Sequence, residues 1–235
     1  MPTGRTDRRQ CAPAIGILML DTSFPRIPGD VGNPETFSFP VMYKVVKGAF
    51  PESVLSGTDP ALLDAFITAG QALVQKGAKA LSTSCGILAI FHRQLVAALD
   101  VPVFTSSLLQ VHMLQSIVKA GQKIGIITIS ERSLTRKHLA GVGIEQYPLA
   151  IAGMDSAEEF SAVFAGGKST IDVEKCREEM KTAALNLKDA HPNLGAVVLE
   201  CTNMPPYAKT VHEATGLPVF DVVTMLNHAY AALQI

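Results

Sequence analysis

Two cysteines carry the first chemical signal. Cys85 sits in ALSTSCGIL (residues 80–88) and Cys201 in VVLECTNMP (197–205), each where a run of small or apolar residues gives way to a turn. A lone thiol in a reducing compartment is usually a small core hydrophobe. Two thiols at matching strand ends can instead form an acid–base pair. A thiolate removes a proton from a carbon beside a carboxylate, and a thiol delivers one to the opposite face. No metal or cofactor is required if hydrogen bonds stabilise the developing enolate. A helical pattern starts just after Cys85, and its free N–H groups favour thiolate and bind carboxylates. Thr202 and Asn203 add hydrogen-bond donors after Cys201. With Ser84 and Gly86, which flank Cys85, they are read as substrate contacts.

The elements that position these residues follow from the apolar pattern. Short buried-strand candidates at 14–21, 78–84, 101–106, 123–130, 195–200 and 217–221 alternate with helical patterns at 60–77, 86–100, 108–121, 131–143, 173–190 and 225–233. Such alternation is the signature of βαβ units and parallel sheets. Ile15-Gly16-Ile17 is echoed by Ile124-Gly125-Ile126. Cys85 and Cys201 are 116 residues apart, as are Pro102-Val103-Phe104 and Pro218-Val219-Phe220, and His112 and His228. The expectation is an α/β protein of two pseudo-symmetric Rossmann-like lobes with parallel sheets, its active site in the cleft between them.

The halves differ at 22–40, where Pro25, Pro28, Pro34 and Pro40 with Gly29 and Gly32 exclude a regular helix. A loop of that length is either a surface insertion or a functional lid. From it, Arg26 is read as a carboxylate clamp or a solvated charge. Thr105, Ser106 and Thr128 end strands on the cleft side and are candidates to line the pocket. Cys176 shares a helix face with Met180, Ala184 and Leu187 and reads as core; Cys11 reads as incidental, and His112 and His228 as packing or interface residues. No histidine makes a zinc spacing with the cysteines, so no metal is expected. AGGKST (165–170) ends like a phosphate loop, but Ala162 stands where the first glycine belongs.

Composition narrows the classes. The chain is 48% hydrophobic and 17% charged, with a net charge of −1, no tryptophan and scattered Lys and Arg. That favours a well-buried core and argues against a nucleic-acid or membrane partner. No run of about 18 apolar residues exists, and the polar start MPTGRTDRRQ reads as a flexible tail rather than a signal. A soluble cytoplasmic protein is the expectation.

The half-motifs TSCG (83–86) and LECTNMPPYA (199–208), with IGILMLD and the two PVF strands, resemble the aspartate/glutamate/hydantoin racemase superfamily. That resemblance implies a cofactor-independent enzyme, a homodimer or higher homo-oligomer, and Cys85 and Cys201 as the acid/base residues. It also implies that Asp21, at the end of the first strand, helps deprotonate a cysteine. The final helix would return to the first lobe, giving a tail over 1–12, a first lobe over 13–107 plus 222–235, and a second over 108–221.

Amino-acid racemases typically carry Asn-Thr after the first cysteine, where this chain has Gly86-Ile87. The stretch 26–49, SSLLQ after PVFT, and LECT-x-x-PPYA look more like a branch that includes algal dimethylsulfoniopropionate lyases. A lyase would use a similar proton abstraction and expel a β-leaving group. Arylmalonate decarboxylases keep only the second cysteine, so Cys85 argues against that activity. The first expectation is a two-cysteine acid/base enzyme that abstracts a proton next to a carboxylate, an amino-acid racemase or epimerase. The alternatives are a β-elimination lyase and a non-catalytic two-lobed binding protein.

Overall fold

The computed structural model describes residues 14–56 and 60–233; the expected tail over 1–12, with Cys11, lies outside them. The first half runs β1 (Ala14–Met19), β2 (Val41–Val45), α1 (Pro51–Ser56), α2 (Pro60–Gln75), β3 (Ala78–Thr83), a 3-10 helix over Gly86–Phe91, α3 (His92–Ala98) and β4 (Val103–Phe104). A 3-10 helix over Ser107–Gln110 then leads into α4 (Val111–Ile117), β5 (Lys123–Thr128), α5 (Arg136–Gly141), β6 (Leu149–Gly153) and α6 (Glu158–Phe164). The chain continues through α7 (Val173–Ala190), β7 (Leu194–Leu199), a 3-10 turn over Pro205–Tyr207, α8 (Ala208–Thr215), β8 (Val219–Phe220) and α9 (Val222–Leu233).

The strands form two four-stranded parallel sheets, ordered β2-β1-β3-β4 and β6-β5-β7-β8. Inner strands rich in Ile, Leu and Val are buried on both faces, which requires helices on both sides. The internal repeat extends to register. Ile15 pairs with Ala80 and Ile124 with Ala196, and a register slip precedes each pair, at Ala14/Ile15 and at Lys123/Ile124. The two-lobed parallel α/β class read from the sequence is therefore the one the chain adopts.

Packing brings the two sheets together. Val222, Met225 and Leu226 of α9 cluster with Ile15, Ile17 and Ala80 of the first sheet. Conversely, Val111 and Leu114 of α4 join Ile124, Ile126 and Val198 of the second. That second cluster continues through Ile87 and Leu88 to Leu18 and Leu81, so one apolar core spans both sheets. At Gly141 an added Cβ would lie 2.2 Å from the Ala89 carbonyl, so α5 presses directly on the 3-10 helix that follows Cys85. Helix α7 buries Cys176, Met180, Ala184 and Leu187 along one stripe, and Asp172 caps its start by accepting the Lys175 N–H at 3.0 Å.

Some elements are shorter than their patterns. The helices expected over 86–100 and 108–121 begin as 3-10 turns, with the Leu88 N–H bonded to the Cys85 carbonyl at 3.1 Å and the Leu109 N–H to that of Ser106 at 3.2 Å. Within 131–143 only Arg136–Gly141 is helical, started by reciprocal capping between Thr135 and His138. Segment 22–40 has neither helix nor strand, yet Phe24, Val31, Phe37 and Phe39 are buried in it. Phe39 stacks on Tyr230 of α9 at 4.1 Å, which anchors the segment to the first sheet's cover.

Candidate active site

Cys85 follows β3 and Cys201 follows β7, at the carboxyl ends of the two inner strands, where open parallel sheets bind ligands. Both are half-buried and line one cavity of about 40 Å³, room for about one water. Ser84, Arg26 and Asn203 share its wall, with Leu20, Phe24, Ile87, Ile129 and Phe164 supplying apolar surface. A wider apolar groove of about 560 Å³ between α3, α4 and α9 contains no thiol.

The two thiols have unlike surroundings. Burial pushes Cys85 up to about 12 and the Glu200 charge adds to it, while the Ile87 and Leu88 N–H groups and the Arg26 guanidinium pull the other way. For Cys201, burial first and Glu200 second push the thiol well above its usual range, and Cys85 and Asp30 add to the rise. Only the Asn203 N–H opposes them among its main influences. The Cys201 thiol also donates to Asn203 Oδ1 at 3.4 Å, which favours the protonated form. These influences make Cys85 the easier thiol to ionise and favour the protonated form of Cys201.

Asp30 organises this asymmetry. Its side chain is 1% exposed, and its Oδ1 accepts from Arg26 Nη1 at 2.7 Å and from the Gly32 N–H at 2.8 Å. Its Oδ2 accepts from Asn203 Nδ2 at 2.6 Å, which orients the Asn203 amide so that Oδ1 faces the thiol. A continuous chain therefore runs Arg26–Asp30–Asn203–Cys201. No sequence signal had pointed to Asp30; its place inside a Pro/Gly-rich loop hid it.

Glu200 is the second residue that sequence reasoning missed. It precedes Cys201, is 1% exposed, and accepts from Thr128 Oγ1 at 2.8 Å through Oε2, leaving Oε1 without a partner among the described residues. Burial raises its carboxyl to about 7 against the Thr128 bond. Because the folded state keeps a proton that an ordinary carboxyl near 4.5 has released, that stability is complete below 4.5 and is lost as pH rises through 7. The loss is on the order of 3 kcal/mol. Urea unfolding at pH 5 and pH 8 should show it in the wild type, and Glu200→Gln should flatten the difference.

Gly86 is required by the same residue. A Cβ there would lie 2.2 Å from both the Glu200 carbonyl oxygen and Oε1, and the backbone contact cannot be relieved by a side-chain swing. Gly86→Ala is expected to destabilise the fold by about 2 kcal/mol, read as a lowered urea midpoint. An unchanged midpoint would contradict this packing.

The remaining expected residues are placed elsewhere. Asp21 accepts from the Gly48 N–H at 3.2 Å and faces Lys47 at 3.5 Å, outside the wall of the thiol cavity. Thr202 reaches across to the Ser84 carbonyl at 2.6 Å, tying the two strand ends, and Ser84 Oγ accepts from the Leu20 N–H at 2.8 Å. Thr105 meets His92 at 3.0 Å and Ser106 caps the Leu108 N–H at 3.3 Å. Thr128 serves Glu200, so Gly86, Thr105, Ser106, Thr128 and Thr202 build the frame behind the cavity rather than its wall.

His112 bonds the Val142 carbonyl at 2.8 Å and Tyr147 at 3.2 Å, a packing role, whereas His228 is exposed in the apolar groove. Lys168 of AGGKST is held by Glu159 at 2.7 Å, and the segment follows α6 rather than a strand. Among the described residues no cluster of three or more His, Cys, Asp or Glu could hold a metal, and no helix is long and apolar enough to cross a membrane.

The two paired parallel sheets are an arrangement shared with known structures. An unliganded arylmalonate decarboxylase superposes with a TM-score of 0.61 at 15% identity, covering 94% of this chain and 92% of that one. The aspartate racemase of Picrophilus torridus gives 0.58 at 16% identity, covering 94% and 92%. Residues 89–229 match the sequence model of the Asp/Glu/hydantoin racemase family, and the chain belongs to that family.

Curated relatives lie in one branch of it. The dimethylsulfoniopropionate lyase of Durusdinium sp. clade D is 30% identical over 217 residues, covering 89% of this chain and 71% of its own. Dimethylsulfoniopropionate lyase 7 of Emiliania huxleyi (strain CCMP1516) is 32% identical over 231 residues, covering 94% and 67%. Lyase 3 of the same strain is 32% identical, and this chain spans 60% of its length.

Proposed function

We propose that this chain is a β-elimination lyase acting on a small β-substituted carboxylate of the dimethylsulfoniopropionate type. The observation that carries the reading is the inequality of the two thiols on one cavity beside Arg26. Elimination needs one base, whereas racemisation needs two thiols that exchange roles. Relatives named as dimethylsulfoniopropionate lyases, at 30–32% identity, support the same choice.

In this reading the Cys85 thiolate removes the α-proton and the resulting electron pair forms the α–β double bond. The bond from the β-carbon to sulfur breaks with its electrons, giving neutral dimethyl sulfide and acrylate, and Cys85 is left as the thiol. Arg26 offers its guanidinium to the substrate carboxylate, and the Cys201 thiol and the Asn203 N–H hydrogen-bond to the enolate-like transition state. The cavity is smaller than this substrate, so Phe24 and Phe164, in edge-to-face contact at 5.1 Å, separate to admit it.

Incubation with dimethylsulfoniopropionate in deuterated buffer tests the proposal. Headspace dimethyl sulfide with acrylate in the proton spectrum is the expected result. Racemisation is the second reading, favoured by the repeat that puts both thiols at equivalent strand ends. Its mark is α-deuterium in a small carboxylate recovered without cleavage. Neither product from a panel of small carboxylates would overturn both.

A further inference from the structure

The two halves of the site are equivalent by backbone and unequal in one exchange of side chains. On the second strand, Thr202 follows Cys201 and its hydroxyl reaches the Ser84 carbonyl at 2.6 Å. On the first, the matching residue after Cys85 is Gly86, and the space its Cβ would enter is taken by the Glu200 carbonyl oxygen and Oε1. Glu200 itself stands at the repeat position of Ser84, which is 116 residues earlier. The sequence has therefore removed a side chain beside Cys85 and put a carboxyl group in its place.

That carboxyl group is buried, and Oε1 has no hydrogen-bond partner among the described residues while Oε2 is held by Thr128. The carboxyl lies against Thr128 at the end of β5 and the Gly86 position, and its charge is felt by both Cys85, one residue before Gly86, and Cys201, the next residue in its own chain. The other charges in the field of the thiols are Arg26 and Asp30, which pair with each other at 2.7 Å. Their charges offset each other, so a negative charge on Glu200 is held against the burial that raises its carboxyl, and a second one on Cys85 is opposed by the first.

We propose that Glu200 and Cys85 share a single negative charge, Glu200 carrying it at rest and taking the Cys85 proton when the thiolate forms. The step is Cys85–SH plus Glu200–COO⁻ going to Cys85–S⁻ plus Glu200–COOH. One S–H bond breaks, one O–H bond forms at the carboxylate, and the net charge of the pair is unchanged. Glu200 lies outside the cavity wall and acts through Cys85 without touching substrate. The inference rests on the two-thiol reading of the site but not on which product the reaction gives.

Sharing one charge fixes how the thiolate population depends on pH. Below the Glu200 titration, near 7, the thiolate fraction rises tenfold per pH unit. Above it, further loss of solvent protons does not enlarge that fraction, because the charge is already present on the pair and only its position varies. The apparent pKa of the reaction then belongs to Glu200 and not to either thiol.

Carbamidomethylation of Cys85 by iodoacetamide, followed on its own peptide by mass spectrometry from pH 5.5 to 9, reads this without substrate. In the wild type the logarithm of the rate should rise with unit slope and break to a plateau near pH 7. Glu200→Gln should keep unit slope through the whole range and react about tenfold faster than wild type one pH unit above the break. Thr128→Val, which removes the bond that lowers the Glu200 pKa, should move the break to higher pH with Glu200 still present. The same break in wild type and Glu200→Gln, or an unmoved break in Thr128→Val, overturns the inference. Absence of turnover with the break intact would instead fail the lyase and racemase readings alone.

Discussion

Cys85→Ala is expected to lower turnover at least about a thousandfold, whereas Cys201→Ala lowers it only about tenfold in the elimination reading. The difference follows from the surroundings of the two sulfurs. Cys85 is served by the N–H groups of Ile87 and Leu88 and the Arg26 charge, while the Cys201 thiol donates a hydrogen bond to Asn203 Oδ1. Dimethyl sulfide leaves as a neutral molecule and needs no proton, so the loss at Cys201 removes a hydrogen bond and not a proton transfer. In a racemase each thiol is base for one enantiomer and acid for the other, and the two variants lose activity alike. Initial rates of product release for both variants, with α-deuterium exchange in parallel, separate these outcomes. Equal thousandfold losses would remove the elimination reading, and a larger loss at Cys201 would reverse the assignment of the base.

Much of the scaffold was legible because parallel strands buried on both faces leave a strong trace. GAVVLE and KIGIITIS can pack only between helices, and the 116-residue spacing extended one lobe's plan to the other. β2 was not legible: VMYKV is a half-buried edge strand that neither alternates cleanly nor forms an apolar run. β6 (LAIAG) is too short and too rich in small residues to stand out, and α8 fully buries Val211 and Thr215 and otherwise packs on the core through the small Ala208 and Ala214. The 3-10 starts after Cys85 and Ser106 are tertiary in origin, set by strand ends that meet another sheet rather than by propensity.

The thiols and Arg26 were legible for a different reason: their residue types announce chemistry. Thr105, Ser106 and Thr128 end strands and so read as pocket-lining, but strand-end hydroxyls also serve neighbouring groups: Thr105 meets the His92 ring, Ser106 accepts the Leu108 N–H and Thr128 donates to Glu200. Asp21 followed a family expectation that the chain does not support geometrically, since its partners are Gly48 and Lys47. Asp30 and Glu200 could not be ranked from sequence because a carboxylate's meaning depends on burial. One more comparison would have exposed Glu200. Aligning the halves on their cysteines puts it opposite Ser84, an unusual exchange of a hydroxyl for an acid in a buried strand end.

Asp30→Ala should show the largest loss of stability among the site variants, about 3 kcal/mol. Arg26 is 13% exposed in its side chain and has Asp30 as its ion partner, so removing the carboxylate leaves a buried guanidinium that faces Thr22 and the Phe24 ring. Asn203 simultaneously loses the acceptor at 2.6 Å that orients its amide towards Cys201, and the loop loses its anchor for the Gly32 N–H. Stability and catalysis should therefore fall together, the first seen as a lowered urea midpoint and the second as a reduced kcat with a raised KM. Two further variants separate the effects. Replacing both partners, Arg26→Met with Asp30→Leu, removes the stranded charge and should recover most of the midpoint while leaving turnover low. Asn203→Ala leaves the ion pair in place and should lower kcat with a much smaller change in midpoint. If Asp30→Ala unfolds at the wild-type urea concentration, the buried pair is not what ties the 22–40 segment to the second thiol.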